Sequence, residues 1–464
     1  LIIAFGANGS SFAQKTDAPK EIAVLVGHTN SVGALALTAD GKTLISGSDD
    51  MSIRVWDVAS GKPRFILRGH RDRVIFVAMT PDGKTLASVD RGGTVKLWDL
   101  VEGKERGTLG HGGRWWRPPM FANDGRTLTY SEDREQIHRW DIVTGTKLAT
   151  LHCSKGQVLT PDGRVVVWDG PELLAFSGDL RTVARSEDRE KPIELLEFAT
   201  GKPRLKVPRG GGVLLSKVEF HPTGRMIACN YAHEAMVKLV DGATGELLFE
   251  LKPNENERIN ETQFSADGKV LATAEWPDTL IRVWDISGIR KLKPALVELG
   301  DNELEQLWAV LAGDDGPAAY QAIWKLAGAK QSTAWLGERL RPIAVADPKV
   351  VASLIADLDH NRFAVRDKAA SELERLGEAA SPALRQVLTK AMLVDQRERV
   401  EAVLKRADAL NAERLRAIRA VEALEHAGTP EAKRLLEKLA AGFAEARLTR
   451  EANASVERSG RVAR

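Results

Sequence analysis

The chain has 464 residues, long enough for two to four domains or one extended repeat array. With 66 Lys and Arg against 64 Asp and Glu, its formal net charge of +2 supplies no broad attraction to phosphate backbones or anionic lipid, which argues against a general nucleic-acid or membrane-surface binder. Hydrophobic residues at 43% and charged residues at 28% are ordinary globular usage and exclude the sparse, highly charged composition of a disordered chain.

The opening stretch, LIIAFGANGSSFAQKTDAPK, does not begin with Met, and Ser11 and Ala13 stand where the small residues of a signal-peptidase cut would lie. Residues 1–20 therefore read as a leader, a truncated signal peptide, and export to a bacterial periplasm or envelope is slightly favoured over a cytoplasmic location. No apolar run reaches the roughly 20 residues that a membrane span needs. The two cysteines, Cys153 and Cys229, show neither Cys-x-x-Cys nor Cys/His ligand spacing and read as two small buried thiols.

Self-similarity organises the next two-thirds of the chain. GKTLISGSDDMSIRVWDVASGK at 41–62 returns as GKTLASVDRGGTVKLWDLVEGK at 83–104 and as GRTLTYSEDREQIHRWDIVTGT at 125–146. Weaker copies surround 195–202, 238–246 and 281–288. The Trp-Asp positions are Trp56-Asp57, Trp98-Asp99, Trp140-Asp141, the degenerate Leu196-Glu197 and Val240-Asp241, and Trp284-Asp285. They are spaced about 42 to 44 residues apart except for one gap of about 56, which holds an insertion near Val158 to Pro171. Alternating runs such as Val74-Ile75-Phe76-Val77 and Val95-Lys96-Leu97-Trp98, separated by Asp-Gly and Ser/Thr-Gly turns, give each unit four short strands.

With Gly27-His28, Gly69-His70 and Gly110-His111 each followed by Trp-Asp some 28 or 29 residues later, the chain resembles the WD-repeat β-propeller family over residues 21–288. The resemblance implies a ring of four-stranded blades around a channel. Six is the literal count, and seven requires a cryptic blade in the long unit, hinted at by Pro161-Asp162-Gly163 and Val166-Val167-Trp168. The strand at Ile22 to Val26 is placed to complete the last unit and close the ring.

In this family the His, Ser, Asp and Trp of a repeat hold one blade together. Their recurrence once per unit points to architecture rather than to a hydrolytic relay. The first repeat has the full set, His28, Ser46 or Ser48, Asp50 and Trp56. Gly92 and Arg134 fall where Asp50 does in the next two, so Asp50→Ala is expected to cost more stability than Asp90→Ala. Binding residues are sought where repeats depart from one another. The largest departure is Arg114-Trp115-Trp116-Arg117, in which Trp115 aligns with the core positions Val32 and Val74, and Trp116 with the channel-mouth positions Gly33 and Ile75. Arg114, Trp116, Arg117, Arg134 and Trp276 are the candidate protein-binding residues, because exposed Trp and Arg are enriched at interface hot spots.

From Asp301 the strand alternation gives way to helical periodicity, after a Pro-bearing, charged linker at 289–300. Asp301 or Asn302 is placed to cap the first helix, and Thr429 with Pro430 to start a later one. Leu354 to Leu388 resembles a HEAT-like pair of antiparallel helices with a stop at Gly377. The charged runs Arg397-Glu398-Arg399 and Arg414 to Arg419 read as solvated faces, since basic and acidic residues are near balance from Asp301 onward. An all-α HEAT-like domain is expected over 301–458 and a disordered tail over 459–464. A propeller joined to such helices is similar to large bacterial WD-repeat proteins of the planctomycete type.

No metal-protease, phosphate-loop, nucleophile-elbow or dinucleotide pattern occurs. The Asp49-Asp50 and Asp314-Asp315 pairs lack an accompanying His cluster. Neither catalytic residues, cofactor nor metal are expected. The reading is a non-enzymatic protein-interaction scaffold whose partners are other proteins, not nucleic acid. The alternative is a propeller enzyme or small-ligand binder using the central channel, which three or more converging carboxylate or His side chains would favour.

Overall fold

The computed structural model describes residues 18–111, 119–122, 124–131, 136–152, 157–159, 165–167, 173–186, 191–207, 215–231, 236–252, 258–289, 296–389 and 393–462. Strand β1 (Lys20–Leu25) precedes the first of six four-stranded antiparallel sheets, β2 (Val32–Leu37), β3 (Thr43–Ser48), β4 (Ser52–Asp57) and β5 (Lys62–Arg68). The second sheet is β6 (Val74–Met79), β7 (Thr85–Asp90), β8 (Thr94–Asp99) and β9 (Lys104–His111), and the third is β10 (Met120–Phe121), β11 (Thr127–Ser131), β12 (Gln136–Asp141) and β13 (Thr146–His152). In the long repeat, β14 (Gln157–Leu159) and β15 (Val165–Val167) form a two-stranded sheet. The fourth sheet comes next as β16 (Leu173–Phe176), β17 (Thr182–Arg185), β18 (Ile193–Glu197) and β19 (Pro203–Val207). The fifth is β20 (Leu215–Phe220), β21 (Met226–Tyr231), β22 (Val237–Asp241) and β23 (Leu247–Leu251). The sixth is β24 (Arg258–Phe264), β25 (Val270–Trp276) and β26 (Ile281–Asp285), completed by β1, which pairs antiparallel with β26.

Local chemistry fixes these hairpins. In the β2–β3 turn Asp40 Oδ1 accepts from Thr38 Oγ1 at 2.8 Å and from the Lys42 amide at 3.1 Å, while Gly41 takes φ +66°. The pattern returns with Thr80 and Asp82, Ser177 and Asp179, and Ser265 and Asp267. The Asp of each Trp-Asp caps the next turn, as when Asp57 accepts from the Ser60 amide at 2.8 Å. The first strands of neighbouring sheets touch one another, β2 against β6 and β24, and β20 against β16 and β24. Trp56 and Trp98 are fully buried, and truncating either to Ala costs about 3–5 kcal/mol.

The rest is helical: α1 (Asp301–Leu311), α2 (Gly316–Gly328), α3 (Ser332–Arg339), α4 (Pro348–Asp357), α5 (Phe363–Leu376), α6 (Ser381–Leu388), α7 (Val394–Ala407), α8 (Ala412–Ala427), α9 (Pro430–Ala440) and α10 (Arg447–Val462). Thr429 caps α9 by accepting from the Ala432 amide at 3.1 Å, and Gly377 at φ +60° ends α5. Neither Asp301 nor Asn302 caps α1. Its N-cap is Gly300, whose amide donates to Glu303 at 2.9 Å. Helix α10 runs to Val462, into the stretch where a disordered tail was expected, and packs on α8 and α9. Two cores result. One gathers α4 to α7 around Leu373 and Leu384, and the other gathers α1 to α3 and α8 to α10 around Leu311, Leu326 and Leu436. The second core also takes in Ala243 from the β22–β23 turn of the fifth sheet.

Candidate functional site

Among the described residues, two repeats carry a complete hydrogen-bonded chain of side chains. His28 bonds Asp50 Oδ2 through Nδ1 at 2.8 Å and Ser46 Oγ through Nε2 at 2.7 Å, and Trp56 Nε1 donates to the same Ser46 oxygen at 2.8 Å. Ser48 instead bonds the Asn30 carbonyl. In the second sheet His70 bonds Asp90 at 2.9 Å and Ser88 at 2.6 Å, and Trp98 donates to Ser88 at 2.7 Å. This repeat therefore has its carboxylate, contrary to the alignment that puts Gly92 in that place. Asp90 lies two positions further from its Trp than Asp50 does, at the end of β7, and still reaches the His ring. Burial opposes ionisation of Asp50, yet hydrogen bonds from His28 and Ser52 hold its carboxyl well below the usual range. Burial pushes His70 below its ordinary value despite Asp90. These groups are consumed by one another and face into the blade, so they offer no reactive atom to a substrate.

A four-stranded meander has two ends. The first and third turns lie at one end, and the second turn and the link to the next sheet lie at the other. The His–Asp chains sit at the second end. There Gly33 is exposed on β2, Ile75 is half-buried on β6, and Trp276 is 42% exposed at the end of β25, with the Arg258 guanidinium 5.7 Å from its ring centre. Thr279 beside it donates to the His28 carbonyl at 3.0 Å, tying the sixth sheet to the first. Arg114, Trp116, Arg117 and Arg134, together with Trp115 and Cys153, lie outside the described residues. Cys229 is a buried thiol on β21.

The first end is occupied by helices at the fourth and fifth sheets. Arg204, 3% exposed beside the β18–β19 turn, bonds both carboxylate oxygens of Glu422 on α8 at 2.7 and 2.8 Å and lies 4.9 Å from the Tyr320 ring centre. Arg419, also on α8, bonds both oxygens of Glu197 at 2.8 and 2.7 Å and the carbonyls of Leu311 and Gly313. Arg181, in the β16–β17 turn, reaches Glu425 at 2.7 Å and Ser455 at 2.9 Å. Arg225 of the fifth sheet stacks 4.4 Å from the Trp324 ring, which lies face to face with His426. Burial opposes the charge of Glu197, Glu422 and Glu425, but the facing guanidiniums hold all three below the ordinary carboxylate range. The reading of Arg414 to Arg419 as a solvated face fails at Arg419, which is 1% exposed. Glu197 is the residue that replaces Asp in the degenerate Leu196-Glu197 repeat, so that departure falls at the junction.

Among the described residues one cluster could hold a metal ion, and the acidic Asp49-Asp50 and Asp314-Asp315 pairs are already engaged. Asp179, Glu422 and His426 bring ligand atoms within 4.8 Å of one another, but Arg204 and Arg181 already neutralise the carboxylates and a dication would have to displace them. Asp49 pairs with Arg73 at 3.0 Å, while Asp314 pairs with Lys202 and Asp315 caps α2. Where the first strands of the fifth and sixth sheets, β20 and β24, touch, Lys217 meets Glu261 and donates to the Thr262 carbonyl at 2.9 Å, and Glu219 accepts from Gln263 and the Phe264 amide, each at 2.9 Å. These side chains cap the inner edge of β24. Burial raises Glu219 and lowers Lys217 from their ordinary values. No described helix is long and apolar enough to cross a membrane.

The family model described as WD domain, G-beta repeat, matches residues 19–57 and 61–99. The chain is also similar to the vegetative incompatibility protein HET-E-1 of Podospora anserina, at 54% identity over 37 residues, which are 8% of this chain and 3% of that protein. The chain thus spans only a small fraction of the length of the curated relative it matches. It carries WD40 repeats, a class that generally mediates protein–protein interaction and is typically non-enzymatic.

Proposed function

We propose that the chain is a non-enzymatic protein-interaction scaffold in which a closed propeller and a HEAT-like helical domain act as one body. Ring closure is supported by the pairing of β1 with β26 and the packing of β2 on β24, with β14–β15 as a partial blade between the third and fourth sheets. The observation that carries the functional reading is the division of the two ends. At the end that holds the first and third turns, helices are bonded to the fourth sheet through Arg204–Glu422 and Glu197–Arg419 and stacked on Arg225 of the fifth, while the opposite end presents Trp276 backed by Arg258. An exposed Trp with an Arg partner is the residue chemistry of binding hot spots, where truncation costs at least about 2 kcal/mol. The binding face is that end, with Trp276 and Arg258 as its described contacts. The test is affinity capture from the native host with the full chain as bait. Specific proteins retained by the wild type and lost with Trp276→Ala support the reading, and an identical set from both baits contradicts it.

A second reading, a small ligand in the channel, draws on Lys217, Glu219 and Glu261 along the axis. A metabolite that raises the melting temperature of the wild type but not of Glu219→Gln favours it.

A further inference from the structure

The helical region carries a second surface that the propeller face does not account for. Helix α3 has only eight residues, and toward α9 it presents Ala334 and Gly337, side chains too small to fill the space beside Leu435. A Cβ added at Gly337 would sit in ordinary van der Waals contact with the Leu435 methyl, at 3.6 Å, so the groove has room there for an apolar group. What remains is a groove of about 490 Å³, within the range of ligand sites.

The floor is apolar and the rim is not. Lys330, Arg434 and Lys438 stand around the groove, against the single carboxylate of Glu431. Lys330 is paired with Glu298 at 2.8 Å and Arg434 with Glu431 at 2.7 Å. Both carboxylates are well over half exposed, so these are surface pairs of small worth that leave the cations available. Lys438 makes no ion pair among the described residues. Three cations around a largely apolar floor are too few to track a phosphate backbone. They fit a peptide segment that combines carboxylates with an apolar anchor, the helix-in-groove mode of recognition.

We infer that the α3–α9 groove is a docking site for an acidic partner segment whose apolar side chain lies on Ala334, Gly337 and Leu435 while its carboxylates meet Lys330, Arg434 and Lys438. This deepens the scaffold reading and rests on it for the class of partner, but not for the place of binding. It gives the molecule two separated contact surfaces held in fixed relation by the buried junction.

The test uses the full chain and three fluorescein-labelled synthetic peptides, read by fluorescence anisotropy. One has Leu and Phe anchors flanked by Glu and Asp, one has the same anchors flanked by Lys, and one has the acidic residues with the anchors replaced by Ser. The first is expected to bind at least about tenfold more tightly than either control, corresponding to about 1.4 kcal/mol, and to weaken as salt is raised. Arg434→Glu combined with Lys438→Glu should cost tenfold or more, as should Ala334→Trp, which fills the groove without changing charge. Circular dichroism identifies any variant that has lost its helices, and the rim variant serves if the filled one does not fold. Equal binding of all three peptides, no binding, or affinity unchanged in folded variants overturns the site. Self-association abolished by Ala334→Trp also overturns it, by making a second copy the occupant. Partner capture that Trp276→Ala still abolishes, alongside failure here, leaves the propeller-face reading intact and removes only this groove.

Discussion

Truncating Arg204 tests the junction between sheets and helices most sharply. Arg204 is 3% exposed and Glu422 is 2% exposed, and they share two hydrogen bonds of 2.7 and 2.8 Å. Arg204 also donates to Thr182 Oγ1 at 3.0 Å and covers the Tyr320 ring. Arg204→Ala leaves a buried carboxylate without its main counter-charge, a loss of about 3–5 kcal/mol. Arg204→Lys keeps the charge but not the planar two-pronged geometry, so its cost should lie between Ala and wild type. The double variant Arg204→Met with Glu422→Leu removes both charges and replaces them with side chains of similar bulk, and should recover part of the loss. Recovery is incomplete because Arg181 also draws on Glu422. The assay is urea unfolding followed in parallel by helical circular dichroism and tryptophan fluorescence. Arg204→Ala should shift the helical transition to lower urea and separate it from the sheet transition. A shift worth less than about 1 kcal/mol, or a double variant no more stable than the single, refutes the claim that this pair holds the two regions together.

Three further predictions concern the sheets. His221 is buried, its Nε2 2.8 Å from the Gly268 carbonyl, and burial pushes its pKa down to about 4 from 6.5, against that hydrogen bond. The folded state then binds fewer protons than the unfolded one between those values, so stability is full above pH 6.5 and falls as pH drops toward 4, by up to about 3 kcal/mol. Melting curves across that window should slope for wild type and flatten for His221→Gln, and parallel slopes would remove His221 as the cause. Asp50→Ala and Asp90→Ala should each cost about 1.5–3 kcal/mol, because both complete the same chain of side chains, with Asp90 the less exposed of the two. A silent Asp90→Ala in thermal melts would restore the expectation that only the first repeat is complete. Gly268→Ala should destabilise by more than about 1 kcal/mol, since Gly268 has φ +71° and a Cβ there would collide with the His221 ring; a melting temperature equal to wild type contradicts this.

Strands and turns were legible in the sequence because their causes are local. Asp40-Gly41 and Ser60-Gly61 each build a turn from neighbouring atoms, and the two-residue alternation marks which face is buried. A fixed offset from Trp98 does not find Asp90, because a carboxylate reaches the His ring from either of two backbone positions. The junction was not legible at all. GKPR occurs at 61–64 and again at 201–204, yet Arg64 is exposed and Arg204 is buried, and only the helix lying across the second copy makes the difference. Glu197 and Arg419 are 222 positions apart, so no periodic pattern links them, and helical spacing alone cannot tell a buried guanidinium from a solvated one. The Leu196-Glu197 departure from Trp-Asp was visible, but its meaning lay in α8.

Hydrogen–deuterium exchange of the full chain, alone and bound to a captured partner, tests the division of the two ends most directly. In the unbound chain, peptides covering 199–204 and 415–426 should exchange slowly, and those covering 276–279 quickly. Partner binding should slow exchange at 276–279 and leave 199–204 unchanged. Fast exchange at 199–204 in the unbound chain, or protection on binding that appears there rather than beside Trp276, would contradict the account.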